Sequence, residues 1–177
     1  IEQSNKLNQH IEQILSLAKT DSHQIQLQKA EVDLYKNLEL IKENLKLKHT
    51  KGFDFTIDKS TKIVINADSF HFYNLLYNLV DNAIKYGTEK PKVDIQVVET
   101  NSQLTIQLKD NGPGIPEKDL PFIFDKFYRV SRKDTEEIEG FGIGLAYVKK
   151  ICELHHWKIK VKNTDNGLQT DIEIPKK

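Results

Sequence analysis

Asn74, Asn78, Asn82 and Lys85 recur at i, i+4, i+8 and i+11, which puts three amides and an ammonium on one face of a helix. The opposite face carries Phe72, Leu75, Leu76, Leu79, Ala83 and Ile84. Two readings are open. A polar face on an amphipathic helix is usually just solvated. Asparagine, however, has poorer helix propensity than the Lys or Glu that such a face prefers. Amide oxygens can ligate a hard cation, and a lysine one turn on can neutralise phosphate.

Asp110-Asn111-Gly112-Pro113-Gly114-Ile115-Pro116 follows an alternating segment. It reads either as a tight surface turn or as a carboxylate at a strand end, with glycines that let a flat ligand approach the backbone. An ionised carboxylate only accepts, so it suits an exocyclic amine such as that of adenine. Gly140-Phe141-Gly142-Ile143-Gly144-Leu145 runs into a helix, where free amides and the helix dipole favour an anion. It lacks the strand that leads into a dinucleotide fingerprint, and it lacks Gly-Lys-Ser/Thr. Between these clusters stand Pro121-Phe122-Ile123-Phe124-Asp125-Lys126-Phe127-Tyr128-Arg129 and a charged run from Val130 to Glu139. The aromatics read as core anchors and the run as a plain loop, or the two together as a lid, apolar at its base and charged at its tip.

The elements that must position these residues follow from periodicity. A seam of Leu7, Ile11, Ile14 and Ala18 predicts one polar helix over residues 1 to 22, for dimerisation or docking, ended by Thr20-Asp21-Ser22-His23. Gln26 to Val32 alternates as a strand. Asp33 caps a helix with Leu34, Leu38, Ile41 and Leu45 on one face. Strands are predicted at 53–57 and 62–65, then a helix from Asp68 to about Tyr86 that Gly87 can end. A hairpin follows at 93–98 and 104–108, then a helix at about 143–155 and a strand pair at 158–162 and 168–174. Strands in adjacent pairs with helices between groups predict a two-layer α/β sandwich, a mixed, mostly antiparallel sheet covered by helices on one face.

Composition narrows the function classes. The 177 residues hold 26 Lys and Arg against 26 Asp and Glu, a formal net charge of zero, which argues against a nucleic-acid or membrane surface. No apolar run approaches a bilayer span and no signal peptide opens the chain. A single cysteine, Cys152, excludes an internal disulfide and fits a reducing compartment. The chain has no methionine, so it is expected to be a piece of a longer protein.

In order and spacing, these motifs resemble those of the sensor histidine kinases of two-component signalling, members of the superfamily that includes gyrase, mismatch-repair and heat-shock-chaperone ATPases. Asn78–Tyr86 is similar to the family's N box, Asp110–Gly114 to its first glycine box, Phe122–Arg129 to its F box and Gly140–Gly144 to its second glycine box. The resemblance implies a Bergerat-type fold over 24–177, preceded in 1–23 by the second helix of the dimerisation and phosphotransfer hairpin. It implies ATP and Mg²⁺ as ligands. Asn82, with Asn78 nearby, would ligate the metal, Lys85 would contact phosphate, and Tyr86 would pack on adenine. Asp110 would accept from the adenine amine, with Gly112, Gly114 and Ile115 shaping the base pocket and Thr170 supporting Asp110. Phe127, Arg129 and the Gly140, Gly142, Ile143, Gly144 and Leu145 backbone would hold phosphate under the lid. The implied catalytic residues are Asn82, Lys85 and Arg129. The implied partners are the protein's own phosphoacceptor helix, a second copy in a homodimer and a response-regulator receiver domain. The implied place is the cytoplasmic portion of a membrane-anchored sensor.

Three features depart from the family pattern. None of the six histidines is followed by an acid, so the phosphoacceptor motif is absent. His155-His156-Trp157 stands where His-Gly-Gly is usual. Gln169, in Gly167-Leu168-Gln169-Thr170, replaces the second glycine of the third glycine box, which puts the pocket edge in question. Two rival functions remain at this level: a clamp ATPase of the same superfamily, and a docking module that binds no nucleotide. The lid reading makes one prediction. Hydrogen exchange in Val130–Glu139 should slow when Mg-ATP is added, and equal rates with and without nucleotide would remove the lid.

Overall fold

Two aspartates start the two long helices. Asp33 accepts from the Lys36 amide at 3.1 Å and opens α1 (Leu34–Lys48). Asp68 accepts from the His71 amide at 3.1 Å and opens α2 (Ser69–Lys85). Each satisfies an amide that the first helical turn leaves unpaired, which contributes about 1 kcal/mol. Each also ends a strand, since β1 (Lys29–Asp33) and β3 (Val64–Asp68) pair antiparallel as a small sheet of their own. The computed structural model describes residues 25–58, 62–130 and 140–176. The seam helix expected over 1–22, the turn after it and residues 131–139 of the charged run lie outside the described residues.

The main sheet has five strands: β2 (Asp54–Ile57), β4 (Lys92–Glu99), β5 (Gln103–Asp110), β6 (Lys158–Thr164) and β7 (Gly167–Pro175). Their order is β2-β4-β5-β7-β6; β2 runs parallel to β4 and every other pair is antiparallel. Alternation sends Val93, Ile95, Leu104, Ile106, Leu108, Ile172 and Ile174 into the core. The apolar faces of α1, α2 and α3 (Gly144–His155) cover that side. Phe72, Leu75, Leu76, Leu79, Ala83 and Ile84 of α2 are all buried there, as the helix pattern predicts. The expected sandwich, with its mixed sheet and helices on one face, is therefore the observed architecture.

The differences are local. The strand expected at 62–65 runs instead from Val64 to Asp68, because pairing with β1 carries it up to the cap of α2. Gly87 does follow α2, but without a left-handed φ. A side chain there would meet the Ala83 carbonyl and Pro91 Cβ, each at 2.9 Å, so close approach rather than a left-handed cap requires the glycine. The F-box aromatics are not core anchors. Only Ile123 of that segment is buried, next to a short 3₁₀ turn at Leu120–Phe122, while Phe122 and Phe127 are exposed.

His155-His156-Trp157 forms the end of α3 and the step into β6. His156 takes the left-handed position at φ 61°, ψ 33°, which costs a non-glycine residue about 1–2 kcal/mol. Trp157 is buried edge-on to Phe72, with ring centroids 5.8 Å apart, and stacks on His155 at 4.3 Å. His155 is itself buried. Its Nε2 accepts from the Asp68 amide at 3.0 Å, and its Nδ1 lies 2.9 Å from the Ile151 carbonyl, so Nδ1 must carry the ring's one proton. Burial lowers its pKa, as do Lys29 and His71, while the Ile151 carbonyl and Asp68 raise it; the net direction is down. A depressed histidine contributes stability that is present above its unfolded pKa of about 6.5 and is lost as pH falls toward the folded value. Burial depresses His71 in the same sense. The unfolding free energy in urea should therefore fall as pH drops from 7 to 5, and His155→Gln should flatten that fall. An unchanged slope in the variant would show that the loss arises elsewhere.

Candidate functional site

The amide face of α2 meets the start of α3. A Cβ built on Gly144 would lie 3.0 Å from Asn78 Oδ1 and 3.9 Å from Asn82 Nδ2, so a side chain there would press on Asn78 and only touch Asn82. Asn78 Nδ2 donates to the Asn74 carbonyl at 2.7 Å, and Asn74 Nδ2 to the Phe70 carbonyl at 2.9 Å. These bonds turn the Asn78 oxygen toward α3 and bury Asn74. The Asn82 amide is half-buried and makes no side-chain hydrogen bond among the described residues. Ile143 is buried at the entry to α3, and Leu145 packs against the core.

The Asp110 loop closes a second side. Asp110 Oδ1 accepts from the amides of Gly112 at 2.8 Å and Leu168 at 3.1 Å. Both bonds fall on one oxygen, so Oδ2 keeps its acceptor capacity. Burial raises the Asp110 pKa, and the two amides offset part of that rise. Gly112 passes close under α2, where a Cβ would be 3.0 Å from the Tyr86 carbonyl. Asn111 ties the loop outward, accepting from the Lys92 amide at 2.8 Å and donating to Thr88 Oγ1 and the Lys90 carbonyl.

A third contact joins the F box to the second glycine box. The Phe127 amide donates to the Gly142 carbonyl at 2.9 Å. A Cβ on Gly142, at φ 68°, would fall 2.7 Å from the Phe127 carbonyl carbon and the Tyr128 oxygen. Tyr128 Oη donates to Asp119 at 2.6 Å. Arg129 is exposed just beyond, and Gly140 lies in open space, where a side chain would meet nothing within 4 Å. Three separate motifs are thus packed on one another around the end of α2 and the start of α3.

The family model for histidine kinase-, DNA gyrase B- and HSP90-like ATPases matches residues 67–177. The chain belongs to that family. It is 33% identical over 98% of its length to the sensor protein RprX of Bacteroides fragilis. It is equally identical over 94% of its length to the signal transduction histidine-protein kinase ArlS of Staphylococcus aureus. It spans about a third of those relatives, 34% and 37%. In structure it is similar to the catalytic domain of the histidine kinase ThkA, with a TM-score of 0.73 at 27% identity, over 85% of this chain and 97% of that one. ThkA in complex with the response regulator TrrA matches 98% of this chain and 49% of that one in fold, with a TM-score of 0.76 at 24% identity. The chain is therefore the ATPase-type catalytic domain that sensor histidine kinases carry.

Within this domain several of the expected residues have partners and surroundings that the motifs alone did not give. Lys85 Nζ is 2.9 Å from Asp81 Oδ2. The other oxygen of that buried carboxylate takes Lys48 at 2.7 Å and His49 at 2.9 Å, at the end of α1. Burial alone would raise the Asp81 pKa; His49, Lys85 and Lys48 outweigh it and hold the carboxyl below its usual range. Asp81 was legible as an acid three residues beyond Asn78, but its partners were not. Thr170 is buried opposite Leu108, and the amides on Asp110 come from Gly112 and Leu168 instead. Phe127 is 73% exposed and held at φ 66°. Tyr86 is partly exposed at the end of α2.

Gln169 is buried in β7. Adjacent strand residues point to opposite faces. Gln169 therefore lies on the side away from Thr170 and the helices, where its Nε2 donates to Asp171 at 2.8 Å. Among the described residues no group of three or more His, Cys, Asp or Glu could hold a metal, and no helix is long and apolar enough to cross a membrane.

Asn163 is a residue that motif spacing did not single out for the site, and Gly167 was named only as part of the third glycine box. A Cβ on Gly167, at φ 148°, would lie 2.0 Å from the Asp110 carbonyl oxygen. Gly167→Ala should destabilise the fold by roughly 2 kcal/mol or more, read as a lowered urea midpoint. A wild-type midpoint would show that the β6–β7 turn can yield without cost.

Proposed function

We propose that this domain binds Mg-ATP between α2 and α3 and transfers the γ-phosphoryl group to a histidine. The observation that carries the reading is the meeting of Asn78 and Asn82 with Gly144, which brings the Asn78 amide oxygen and the Asn82 carboxamide beside the amides of a helix start. The donor set fits a small hard cation. Such an ion needs few protein ligands when phosphate oxygens complete its shell, and Asn82 has an amide that no side chain or backbone group of the described residues engages. Asn82, with Asn78 beside it, would hold the Mg²⁺. The ion would supply charge neutralisation across the phosphates.

The chain's own residues do the rest by positioning. Asp110 accepts the adenine amine on Oδ2 while its other oxygen stays on the Gly112 and Leu168 amides. Tyr86 packs against the base, with Gly112, Gly114 and Ile115 shaping its pocket. The amides at Gly142 to Leu145 receive phosphate at the positive end of the α3 dipole, where Ile143 seats the turn in the core. Arg129 and Lys85 add positive charge to that side, Lys85 by exchanging its Asp81 contact for a phosphate oxygen. Gln169, turned to the far face, removes the motive for reading the domain as a degenerate docking module.

The remaining assignments are of the same standing. We place the boundary at 23/24, with 1–23 as the second helix of the dimerisation hairpin. The acceptor histidine sits on the preceding helix of a homodimer, and a response-regulator receiver aspartate takes the phosphoryl group next, the class of partner with which ThkA is paired. The domain works on the cytoplasmic side of a membrane-anchored parent, where ATP is available.

The test is one set of incubations with labelled Mg-ATP. This chain should stay unlabelled, because none of its six histidines bears the acid-following motif. A longer chain carrying the upstream helix should become labelled on one histidine. Asp110→Asn should weaken ATP binding by roughly 10- to 150-fold in calorimetry, since a charge-assisted hydrogen bond is lost. An acid-labile, base-stable phosphate on this chain itself would overturn the acceptor assignment, and unchanged affinity in the variant would overturn the role of Asp110.

A further inference from the structure

The Asp110–Ile115 loop is fixed at its near end by Asp110 itself, through the Gly112 and Leu168 amides. Its far end is fixed by one side chain from another strand. Asn163, on β6, accepts from the Ile115 amide on Oδ1 at 2.8 Å and donates from Nδ2 to the Ile115 carbonyl at 2.7 Å. The same Nδ2 donates to Glu117 Oε1 at 3.1 Å. Both amide hydrogens and the oxygen are therefore committed. The pairing with Ile115 fixes the amide's orientation, because an N–H needs the oxygen and a carbonyl needs the nitrogen. The carboxamide acts as a strand partner for a single residue of a loop that has no strand beside it.

The surrounding backbone is shaped around this contact. Gly114 sits at φ 66°, and a Cβ there would come within 2.6 Å of Asn163 Oδ1. Asn163 also pairs across the β6–β7 ladder with Leu168, the residue whose amide holds Asp110 Oδ1. One strand pair thus carries both the amide that orients the Asp110 carboxylate and the side chain that sets where the loop beyond it runs. Releasing Asn163 removes both hydrogen bonds to Ile115 and, through Gly112, loosens one of the two bonds that keep Oδ2 aimed.

We propose that Asn163 is a positioning residue for nucleotide-base selectivity, acting through Ile115 and Gly112 on Asp110 without touching the nucleotide. This rests on the reading of Asp110 as the acceptor for an adenine amine. Guanine presents a carbonyl oxygen where adenine presents that amine, and an acceptor-only carboxylate rejects it. Discrimination of this kind depends on the carboxylate being held in place, so it is the quantity that loss of the clamp should erode.

Calorimetry on the full chain with Mg-ATP and Mg-GTP, alongside thermal melts, tests this. The wild-type chain should prefer ATP. Asn163→Ala should weaken ATP binding roughly fivefold to thirtyfold, with GTP affected less, so that the ATP-to-GTP ratio narrows while the chain still melts cooperatively. Asn163→Asp should narrow it at least as much. That variant keeps the acceptor for the Ile115 amide, has no donor for the Ile115 carbonyl and sets two carboxylates together at Glu117. Asn163→Ser, which melts nearest the wild type if the alanine variant fails to fold, should show the same narrowing in weaker form. Loss of ATP and GTP affinity by the same factor would reduce Asn163 to a stabilising contact and overturn the proposal, as would an unchanged ratio. An Asp110→Asn chain that keeps full preference for ATP would remove the base-recognition reading itself, and this proposal with it. Loss of preference in Asp110→Asn but not in the Asn163 variants would sink this proposal alone.

Discussion

Everything at the site is measured from α2, and α2 is held by its apolar stripe. Phe72, Leu75, Leu76, Leu79, Ala83 and Ile84 are buried against the sheet, and burying such side chains contributes on the order of 1.5–3 kcal/mol for each large one. That seating fixes the helix in rotation as well as in place, because the stripe is a band along one side. With the rotation fixed, Asn78 and Asn82 face the start of α3 and the Tyr86 carbonyl stands over Gly112. A side chain at 112 would press on the Tyr86 carbonyl of the helix end, and one at 144 on the Asn78 carboxamide. One glycine of each box, Gly112 and Gly144, is a clearance for this helix, while Gly114 and Gly142 make room for Asn163 and for Phe127.

Charge is arranged at the far end of the same helix. Asp81 is 5% exposed, and a buried carboxylate left without partners would be strongly destabilising. It instead gathers Lys48 and His49 from the end of α1 and Lys85 from its own last turn. The lysines also lie where the negative ends of two helix dipoles favour cations. One carboxylate between two lysines leaves net positive charge on this flank. A phosphate arriving there can take Lys85 while Lys48 and His49 keep Asp81 paired, so the exchange need not strand a buried charge.

How much of this could be read from the sequence divides along the range of the interactions. The caps at Asp33 and Asp68, the stripe of α2 and the alternating hairpin are local, and the structure has them within a few residues of their expected bounds. The amide face of α2 and the Asp110 loop were also legible, because helical spacing and a Gly-rich strand end are local patterns. Asn163 was not, because its partner Ile115 is 48 residues away and nothing about a lone asparagine in an alternating strand marks it. Gly167 stood in a recognisable box, but its reason, close approach to the Asp110 carbonyl, needs two strands brought together. Gln169 looked like an intrusion until strand alternation was joined to the register with β5, which turns it to the outer face.

The contact between Phe127 and Gly142 shows how strain is kept where it is useful. A phenylalanine at φ 66° costs about 1–2 kcal/mol, and such a residue persists only when its surroundings over-determine it. Here the Phe127 amide is held by the Gly142 carbonyl, Gly142 is itself left-handed to admit the Phe127 backbone, and Tyr128 is anchored on Asp119. The last described residue before 131 and the first after 139 therefore leave from a base already closed by backbone contact. The F box and the second glycine box are thereby joined directly. The turn from Gly142 into α3 thus takes its position from contacts among the described residues.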